Sequence, residues 1–193
     1  MLWPDELNEA KRTLKAKIDS LNNDFTRAFY PLNKQKIQPA PLPILMFAIS
    51  VLDLFSSLEA GTNVSRGQTN RMVNFLVNYM SYEEKASRVL VQMHRHQLMH
   101  TSEPRIIIDE MTNATYGWLI GDTNKNHMKL LREEDLSKFK YDVFTLHLSI
   151  KRLIYDLSKA LMKYIQKLEK EELLQDKYKV CLKLIRTQKV DLG

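Results

Sequence analysis

The sequence predicts a mainly α-helical fold, a helical bundle with a small β-hairpin insertion and a long C-terminal helix. Only 5 of the 193 residues are glycine, which is few for a sheet-rich fold with many tight turns. Apolar residues make up 44% of the chain, enough for a packed core, and most of them recur at three- and four-residue steps. One stretch, residues 105–121, instead carries the β-branched and aromatic runs of a hairpin.

A proline-rich connector separates the first two predicted helices. The first covers residues 5–30, and its apolar face consists of Leu7, Leu14, Ile18, Leu21, Phe25 and Phe29. Pro31 is expected to end it, because proline cannot donate the backbone hydrogen bond that a helix interior needs. Pro43 is expected to open the second helix, residues 44–60, and Gly61 to stop it. This second helix is apolar on nearly all sides, which predicts a central position in the bundle.

Two shorter helices are expected next. The third covers about residues 69–79, and Ser81 with Glu84 is expected to form a capping box that starts the fourth. The fourth is expected to run to about His100, because Pro104 disfavours helical backbone in the residue before it.

The C-terminal half is expected to contain the hairpin and then the longest helix. The hairpin turn is placed at residues 112–114, and the helical period returns from about residue 140 to residue 170. His147 falls within that predicted helix, whose apolar stripe is Val143, Leu146, Ile150, Leu153, Leu157, Leu161, Tyr164 and Leu168. Residues 1–170 are therefore expected to form a single helical domain, and residues 171–193 a basic amphipathic segment.

Composition limits the classes of function. The formal net charge of +6 and the pI near 9.3 favour polyanionic partners. The single Cys181 excludes an intramolecular disulfide framework, and no secretory leader is visible, so a cytoplasmic location is expected. The longest apolar run, residues 44–58, is interrupted by polar residues and is short for a bilayer, so no membrane association is expected.

Residues 94–100, HRHQLMH, contain three of the five histidines and are called the histidine cluster below. His96 and His100 are four residues apart, on one helical face, and would need a third metal ligand from elsewhere. No CxxC or HExxH motif provides one, so we expect no metal and no other cofactor. A second interpretation is that these are solvated polar residues at a helix end.

The third interpretation of the histidine cluster is ribonuclease chemistry. Cleavage of RNA without a metal needs a group that transfers protons near neutral pH, and histidine has a suitable pKa. It also needs a fixed cation beside the phosphoryl oxygens, which an arginine provides. Arg95 and His100 have these side chains, but residues five apart on a regular helix point about 140° away from each other. Either the helix unwinds near residues 99–101, which Pro104 favours, or a second copy of the chain completes the site across a two-fold axis. We expect the second, helped by the first.

The segment Arg95-His96-Gln97-Leu98-Met99-His100 resembles the Rx4–6H motif of HEPN domains, helical bundles of which many are metal-independent endoribonucleases. His96 occupies the polar position after the arginine. The resemblance covers roughly residues 42–104 and, more weakly, the chain to residue 168. It implies a HEPN-like bundle, catalytic roles for Arg95, His96 and His100, RNA as substrate, a homodimer, and a toxin or defence role with an antitoxin or nucleotidyltransferase partner.

Asp53 and Arg88 are expected to support this site. Asp53 is a charge within an apolar helix, so burial would require a partner. Acidic residues can accompany the Arg–His pair in HEPN sites, which implies Arg95 or Arg88 as that partner; capping of nearby backbone or contact with solvent are equal alternatives. Arg88 with His94 also forms a second match to the loose motif.

Two non-catalytic functions remain open from the sequence. The first is a HEPN-like module that binds RNA, a nucleotide or a protein partner in the same groove without cleaving it. The second is a helical adaptor whose basic segment, residues 171–193, binds an acidic partner. In the ribonuclease interpretation, the same basic segment would follow the RNA backbone electrostatically.

Overall fold

The computed structural model describes residues 1–34, 41–93, 106–121, 125–134 and 142–186 of the chain. Within these ranges the fold is mainly helical with one small sheet, as predicted at the level of fold class. The elements in chain order are α1 (Pro4–Lys34), α2 (Pro41–Ala60), α3 (Gln68–Met80), α4 (Glu84–Val91), β1 (Ile107–Ile108), β2 (Thr115–Ile120), β3 (Lys129–Arg132), β4 (Val143–Leu148), α5 (Ile150–Leu168) and α6 (Glu172–Arg186).

Helix α2 is the centre of the bundle, as its apolar sequence predicts. It packs against α1, α3, α5 and α6, and Leu45, Leu52 and Phe55 on it are fully buried. The rings of Phe55 and Tyr164 of α5 pack in a T-shaped arrangement, with 5.4 Å between ring centroids. By length and mean hydropathy (1.7) the stretch Leu42–Ala60 would also pass as a membrane span, but 56% of it is buried inside the protein. A buried core helix meets the same criterion.

Two proline-based boundaries differ from the prediction. Helix α1 continues through Pro31 to Lys34, whereas the sequence predicts an end at Pro31. Because this proline lies in the last turn, it costs one backbone hydrogen bond and leaves the preceding turns intact. Helix α2 begins at Pro41 rather than after Pro43, since proline is favourable in the first helical turn, where its missing N–H has no intrahelical acceptor.

The predicted capping box between α3 and α4 is wrong. Ser81 adopts a left-handed backbone (φ 58°) and ends α3, with its N–H donated to the carbonyls of Leu76 and Val77. The residue before α4 is Glu83, which makes no side-chain capping hydrogen bond. The turn between the helices is so short that Ser81 terminates the first helix and is not available to start the second.

The sheet has four strands, two more than predicted, in the order β1-β2-β4-β3. Strands β1 and β2 pair antiparallel as the expected hairpin, and Asn113 in its turn has a positive φ of 55°. Strand β2 pairs in parallel with β4, with Trp118 opposite Leu146, and β4 pairs antiparallel with β3. The hairpin prediction is therefore confirmed only as part of a larger sheet.

The start of the predicted long helix is wrong. Residues 143–148 form β4, so His147 lies on a strand, and the helix begins at Ile150. Ser149 marks the boundary, because its hydroxyl accepts a hydrogen bond from the N–H of Arg152 (3.3 Å) and caps α5. Helix α1, with 31 residues, is longer than α5, with 19, so α5 is not the longest helix.

Helix α6 covers most of the predicted basic amphipathic segment and packs on α2. Its buried face consists of Leu174, Gln175, Tyr178 and Cys181. The two helices approach each other closely at Gly61, where a Cβ atom would lie 3.0 Å from the side chain of Lys177. Residues 187–193 of the segment lie outside the described residues.

Candidate functional site

The three predicted catalytic residues, Arg95, His96 and His100, lie outside the described residues. Met93 is the last described residue before the histidine cluster. There the helix changes its geometry, because Gln92 and Met93 follow α4 in a π-helical turn. Such turns interrupt the regular spacing of an α-helix and occur frequently at functional sites. The predicted unwinding of this helix near residues 99–101 lies outside the described residues.

Arg88 holds α4 against the beginning of α3. Its guanidinium donates to Asn70 Oδ1 (2.9 Å) and to Glu84 Oε1 (3.0 Å), and it does not have Asp53 as a hydrogen-bond partner. The ion pair with Glu84 is exposed and therefore contributes little stability. The bond to Asn70 shows that the start of α3 lies beside the last turn of α4.

Asp53 is partly buried, and its direct partner is an amide rather than a cation. The side-chain nitrogen of Gln68 donates to Asp53 Oδ2. Asp53 Oδ1 is buried and has no hydrogen-bond partner among the described residues. Asp53 and Arg71 have opposite effects on the Cys181 thiol: burial raises its pKa, the charge of Arg71 lowers it and the charge of Asp53 raises it. Arg71 itself donates to the backbone carbonyl oxygen of Val64 at 2.7 Å.

These contacts place the polar groups of Asp53 at one end of the bundle. Gln68, its partner, is in the first turn of α3, and Asn70 in that turn is bonded to Arg88 near the end of α4. The chain enters the histidine cluster from the same end of α4. Thus the two predicted supporting residues, although not hydrogen-bonded to each other, lie at the end of the bundle from which the predicted catalytic segment departs.

A second polar network, which the sequence does not predict, joins the sheet to the helices. His127 precedes β3, Tyr82 lies between α3 and α4, and Arg152 and Asp156 are in the first turns of α5. The Tyr82 hydroxyl lies 2.8 Å from His127 Nε2 and 3.0 Å from Asp156 Oδ2. Arg152 Nε donates to the same carboxylate oxygen at 2.7 Å.

The hydrogen bonds of this network run in one direction, which assigns the tautomer of the imidazole. The backbone N–H of Ser149 donates to His127 Nδ1 (3.1 Å), so this nitrogen carries no proton. The proton of the neutral ring is therefore on Nε2, which donates to the Tyr82 oxygen. Tyr82 in turn donates to Asp156. Each donor in this series of hydrogen bonds therefore has an acceptor, as expected of a polar network buried between elements.

This network holds protein parts together and does not present a free catalytic group. Burial lowers the pKa of His127 to about 4, against an opposing effect of Asp156, so the ring is neutral at physiological pH. Burial is the main cause that raises the pKa of Tyr82, and the negative charge of Asp156 raises it further. Because both nitrogens of His127 are already engaged, it is not placed to act as a general base. No short-range sequence pattern marks the network, since its members come from three distant segments.

One cation of α6, Lys179, is engaged within the protein. Lys179 donates to the carbonyl oxygen of Met1 (2.7 Å) and forms an ion pair with Glu6 of α1 (3.0 Å). Lys179 and Arg186 line a cavity of about 340 Å³ between α1 and α6, opposite Glu6 and Glu9. Its walls carry both signs of charge, so this surface is not selective for a polyanion.

Among the residues that the structure describes, no group of three histidine, cysteine, aspartate or glutamate side chains is arranged to hold a metal ion. That finding does not extend to the histidine cluster. Comparisons of the chain with protein-family models, with curated proteins and with solved structures found no match.

Proposed function

We propose that this protein is a metal-independent endoribonuclease of the HEPN type, with a composite active site formed by two copies of the chain. The observation that carries the proposal is the segment Arg95–His100, which combines a permanent cation with a proton-transfer group immediately after α4. The net charge of +6 is consistent with an RNA substrate. A toxin or defence role, with an antitoxin or nucleotidyltransferase partner, belongs to the same proposal.

The chemistry assigned to the site is transesterification within the RNA strand. The ribose 2′-hydroxyl loses its proton and attacks the adjacent phosphorus, the bond to the 5′-oxygen breaks, and that oxygen takes up a proton. The products are a 2′,3′-cyclic phosphate and a 5′-hydroxyl end. His100 acts as the general acid or base, and Arg95 stabilises the charge that develops on the non-bridging oxygens. His96 orients His100 or binds the scissile region.

Asp53 and Arg88 have supporting roles in this proposal. Arg88 positions α4 through Asn70, with which it shares a hydrogen bond. Asp53 has a buried oxygen, Oδ1, that lacks a hydrogen-bond partner among the described residues. A buried carboxylate oxygen without a donor is costly, so we propose that Arg95 donates to it and is thereby oriented.

Substitutions in the histidine cluster test the proposal. Loss of the proton-transfer group or of the charge-stabilising group typically lowers the rate by about 10² to 10⁴. His100→Ala and Arg95→Ala should therefore be folded and nearly inactive on RNA in the presence of EDTA. His94→Ala is the matched control, because residue 94 points away from residues 96 and 100 on a helix, and it should keep most of the activity.

The end groups and the metal dependence decide between the proposal and its alternatives. Wild-type cleavage should resist EDTA and leave cyclic-phosphate ends. Cleavage that requires zinc or magnesium would return the histidine cluster to the metal interpretation. If the wild-type protein binds RNA tightly but never cleaves it, and His100→Ala binds RNA equally well, the protein is a non-catalytic binding module instead.

A further inference from the structure

The groove between α1 and α5 has the chemistry of a binding surface for an anionic, partly apolar chain. It encloses about 550 Å³, and its lining includes Ile18 and Asn22 of α1 and Tyr155, Lys159, Met162 and Lys163 of α5. No carboxylate is present among the described residues that line it. A concave surface lined by both cations and apolar side chains attracts a ligand that carries both phosphate and flat apolar groups.

Helix α5 is the source of the positive charge. It contains five cations, Lys151, Arg152, Lys159, Lys163 and Lys167, and a single carboxylate, Asp156. That carboxylate is 14% exposed and is already engaged with Arg152, so it does little to neutralise the outer face. By contrast, α6 carries four cations and two acidic residues, and its Lys179 is paired with Glu6.

Tyr155 gives this groove an aromatic platform. Its side chain is 49% exposed, although the apolar neighbours Ile154 and Leu157 are buried. Lys159 Nζ lies 4.4 Å from the centroid of the ring, and the Arg152 guanidinium lies 5.5 Å from it. Exposed cation–π contacts are weak, so Lys159 can leave the ring for a phosphate at little cost while a base stacks on the tyrosine.

We propose that the groove between α1 and α5 binds single-stranded RNA, with Lys159 and Lys163 on successive phosphates and a base stacked on Tyr155. The distance along α5 from Tyr155 to Gln166 is about 16 Å, since a helix rises about 1.5 Å per residue. At about 3.4 Å per stacked nucleotide, this length holds on the order of four nucleotides.

A membrane surface fits these observations less well. Helices that lie on membranes present a broad apolar face to the lipid. The apolar face of α5 is used inside the protein, where Leu153, Leu161 and Ile165 are buried, and the outer face offers Tyr155 and Met162. The inference rests on the proposed function in taking RNA as the partner, but it concerns the path of the strand rather than its cleavage.

The test measures binding of a fluorescent twelve-nucleotide oligouridylate by full-length protein that carries His100→Ala, in EDTA, over a series of salt concentrations. Each phosphate contact on a single strand contributes about 0.7 to the slope of log affinity against log salt. Lys159→Gln with Lys163→Gln should therefore lower the slope by about 1.4 and weaken binding about twentyfold at 0.1 M salt. Lys125→Gln with Lys129→Gln removes the same charge from the turn before β3 and from β3, and should leave the slope nearly unchanged.

The tyrosine separates RNA from other polyanions. Tyr155→Ala should weaken oligouridylate binding at least fivefold without changing the salt slope, whereas Tyr155→Phe should bind like the parent. Neither change should affect binding of inorganic polyphosphate, which has no bases. Lys163 also donates to the carbonyl of Tyr79 at 3.5 Å, so its replacement could lower the stability of the protein. If the double variant unfolds at a lower temperature than the parent, the single variant Lys159→Gln is used in its place.

The inference is overturned if the groove pair of lysine substitutions and the control pair lower the RNA affinity equally, or if Tyr155→Ala leaves the RNA affinity unchanged. It is also overturned if the groove variants lose binding to anionic lipid vesicles but keep their full affinity for RNA. The endoribonuclease proposal is tested separately. If the groove variants cleave RNA with unaltered KM and rate, the proposed role of the groove is wrong and the endoribonuclease proposal stands. If the wild-type protein binds RNA through the groove but never cleaves it, the proposed role of the groove stands and the endoribonuclease proposal is wrong.

Discussion

Gly61 and Gly67 show how one residue type meets two different constraints. Both have a left-handed backbone, with φ of 78° and 77°. At Gly67 an added Cβ would have no atom within 4 Å, whereas at Gly61 it would lie 3.0 to 3.2 Å from Lys177, including the backbone of α6. Gly61 also closes α2, with the N–H groups of residues 61 and 62 donated to the Ser57 carbonyl.

Alanine at these two glycines should have unequal effects on stability. The left-handed backbone costs a non-glycine residue about 1 to 2 kcal/mol, and both variants carry that cost. Gly61→Ala must also push α6 away from α2, which should bring its total to about 3 kcal/mol. Urea unfolding of both variants measures the difference. Equal losses of unfolding free energy would show that the contact with Lys177 is unimportant.

Gln175 is a buried polar residue whose role is visible only in the structure. It is 6% exposed, yet both polar atoms of its amide are hydrogen-bonded, because its oxygen accepts from the N–H of Leu2 (2.9 Å) and its nitrogen donates to the carbonyl of Leu168 (3.0 Å). A buried amide without such partners would cost stability. In the sequence Gln175 is one polar residue on an amphipathic helix, and nothing marks it as internal.

At the scale of elements, the boundary between β4 and α5 is the main difference between prediction and structure. Val143, Leu146 and Ile150 recur at steps of three and four, which favours a helix, but Phe144, Leu146 and Leu148 also alternate as a strand does. Over six residues the two periods cannot be separated by apolar spacing. The parallel pairing of β4 with β2 decides the outcome, since it satisfies the backbone hydrogen bonds of both strands.

His127 connects three elements and should make the fold sensitive to acid. Its pKa of about 4 in the folded protein is below the value near 6.5 of an unfolded chain, so the unfolded chain binds more protons between these pH values. The stabilisation is therefore complete above pH 6.5 and is lost as the pH falls towards 4. Protonation of Nδ1 would also break the hydrogen bond that this nitrogen accepts from the N–H of Ser149, because both groups would then be donors.

The pH dependence should decrease when His127 is replaced. Between pH 6.5 and pH 4 the wild-type protein should lose about 2 kcal/mol more unfolding free energy than His127→Gln, allowing for the partial exposure of the ring. His147→Gln on β4 is the matched control and should follow the wild-type curve. Urea unfolding at half-unit pH steps gives these curves. Parallel curves for wild type and His127→Gln would exclude the assigned hydrogen-bond chain.

At the scale of the whole molecule, the bundle brings two predicted supporting residues to one end. Gln68 and Asn70, in the first turn of α3, bond to Asp53 of α2 and to Arg88 of α4, respectively. This arrangement follows from the short connection between α3 and α4, which makes the start of one helix the neighbour of the end of the other. The proposed active site would be built where that end meets a second copy of the chain.

A composite site makes a specific prediction for mixed subunits. If Arg95 of one copy acts with His100 of the other, a dimer of one Arg95→Ala subunit and one His100→Ala subunit retains one intact site of two. Mixing the two inactive variants should then restore activity, with each mixed dimer about half as active as wild type. Sedimentation at micromolar concentration should show the dimer, and His100→Ala mixed with itself is the control.

The absence of any restored activity in proven mixed dimers would place Arg95 and His100 in the same subunit. A strict monomer with full ribonuclease activity would have the same meaning. Either result would leave the assignment of Arg95 and His100 as catalytic residues intact and remove only the two-fold composite site.

The sequence by itself determined the helical class, the central position of α2, the stop at Gly61 and the inner face of α5. These depend on apolar periodicity and on local backbone preferences, which act within one or two turns of a helix. Tertiary structure alone decided the four-stranded sheet, the His127 network, the partners of Asp53 and Arg88, and the contact between Gly61 and Lys177. Each of these joins residues far apart in the chain, and a preference within one segment carries no information about which distant segment will supply the missing hydrogen bond or fill the adjacent space.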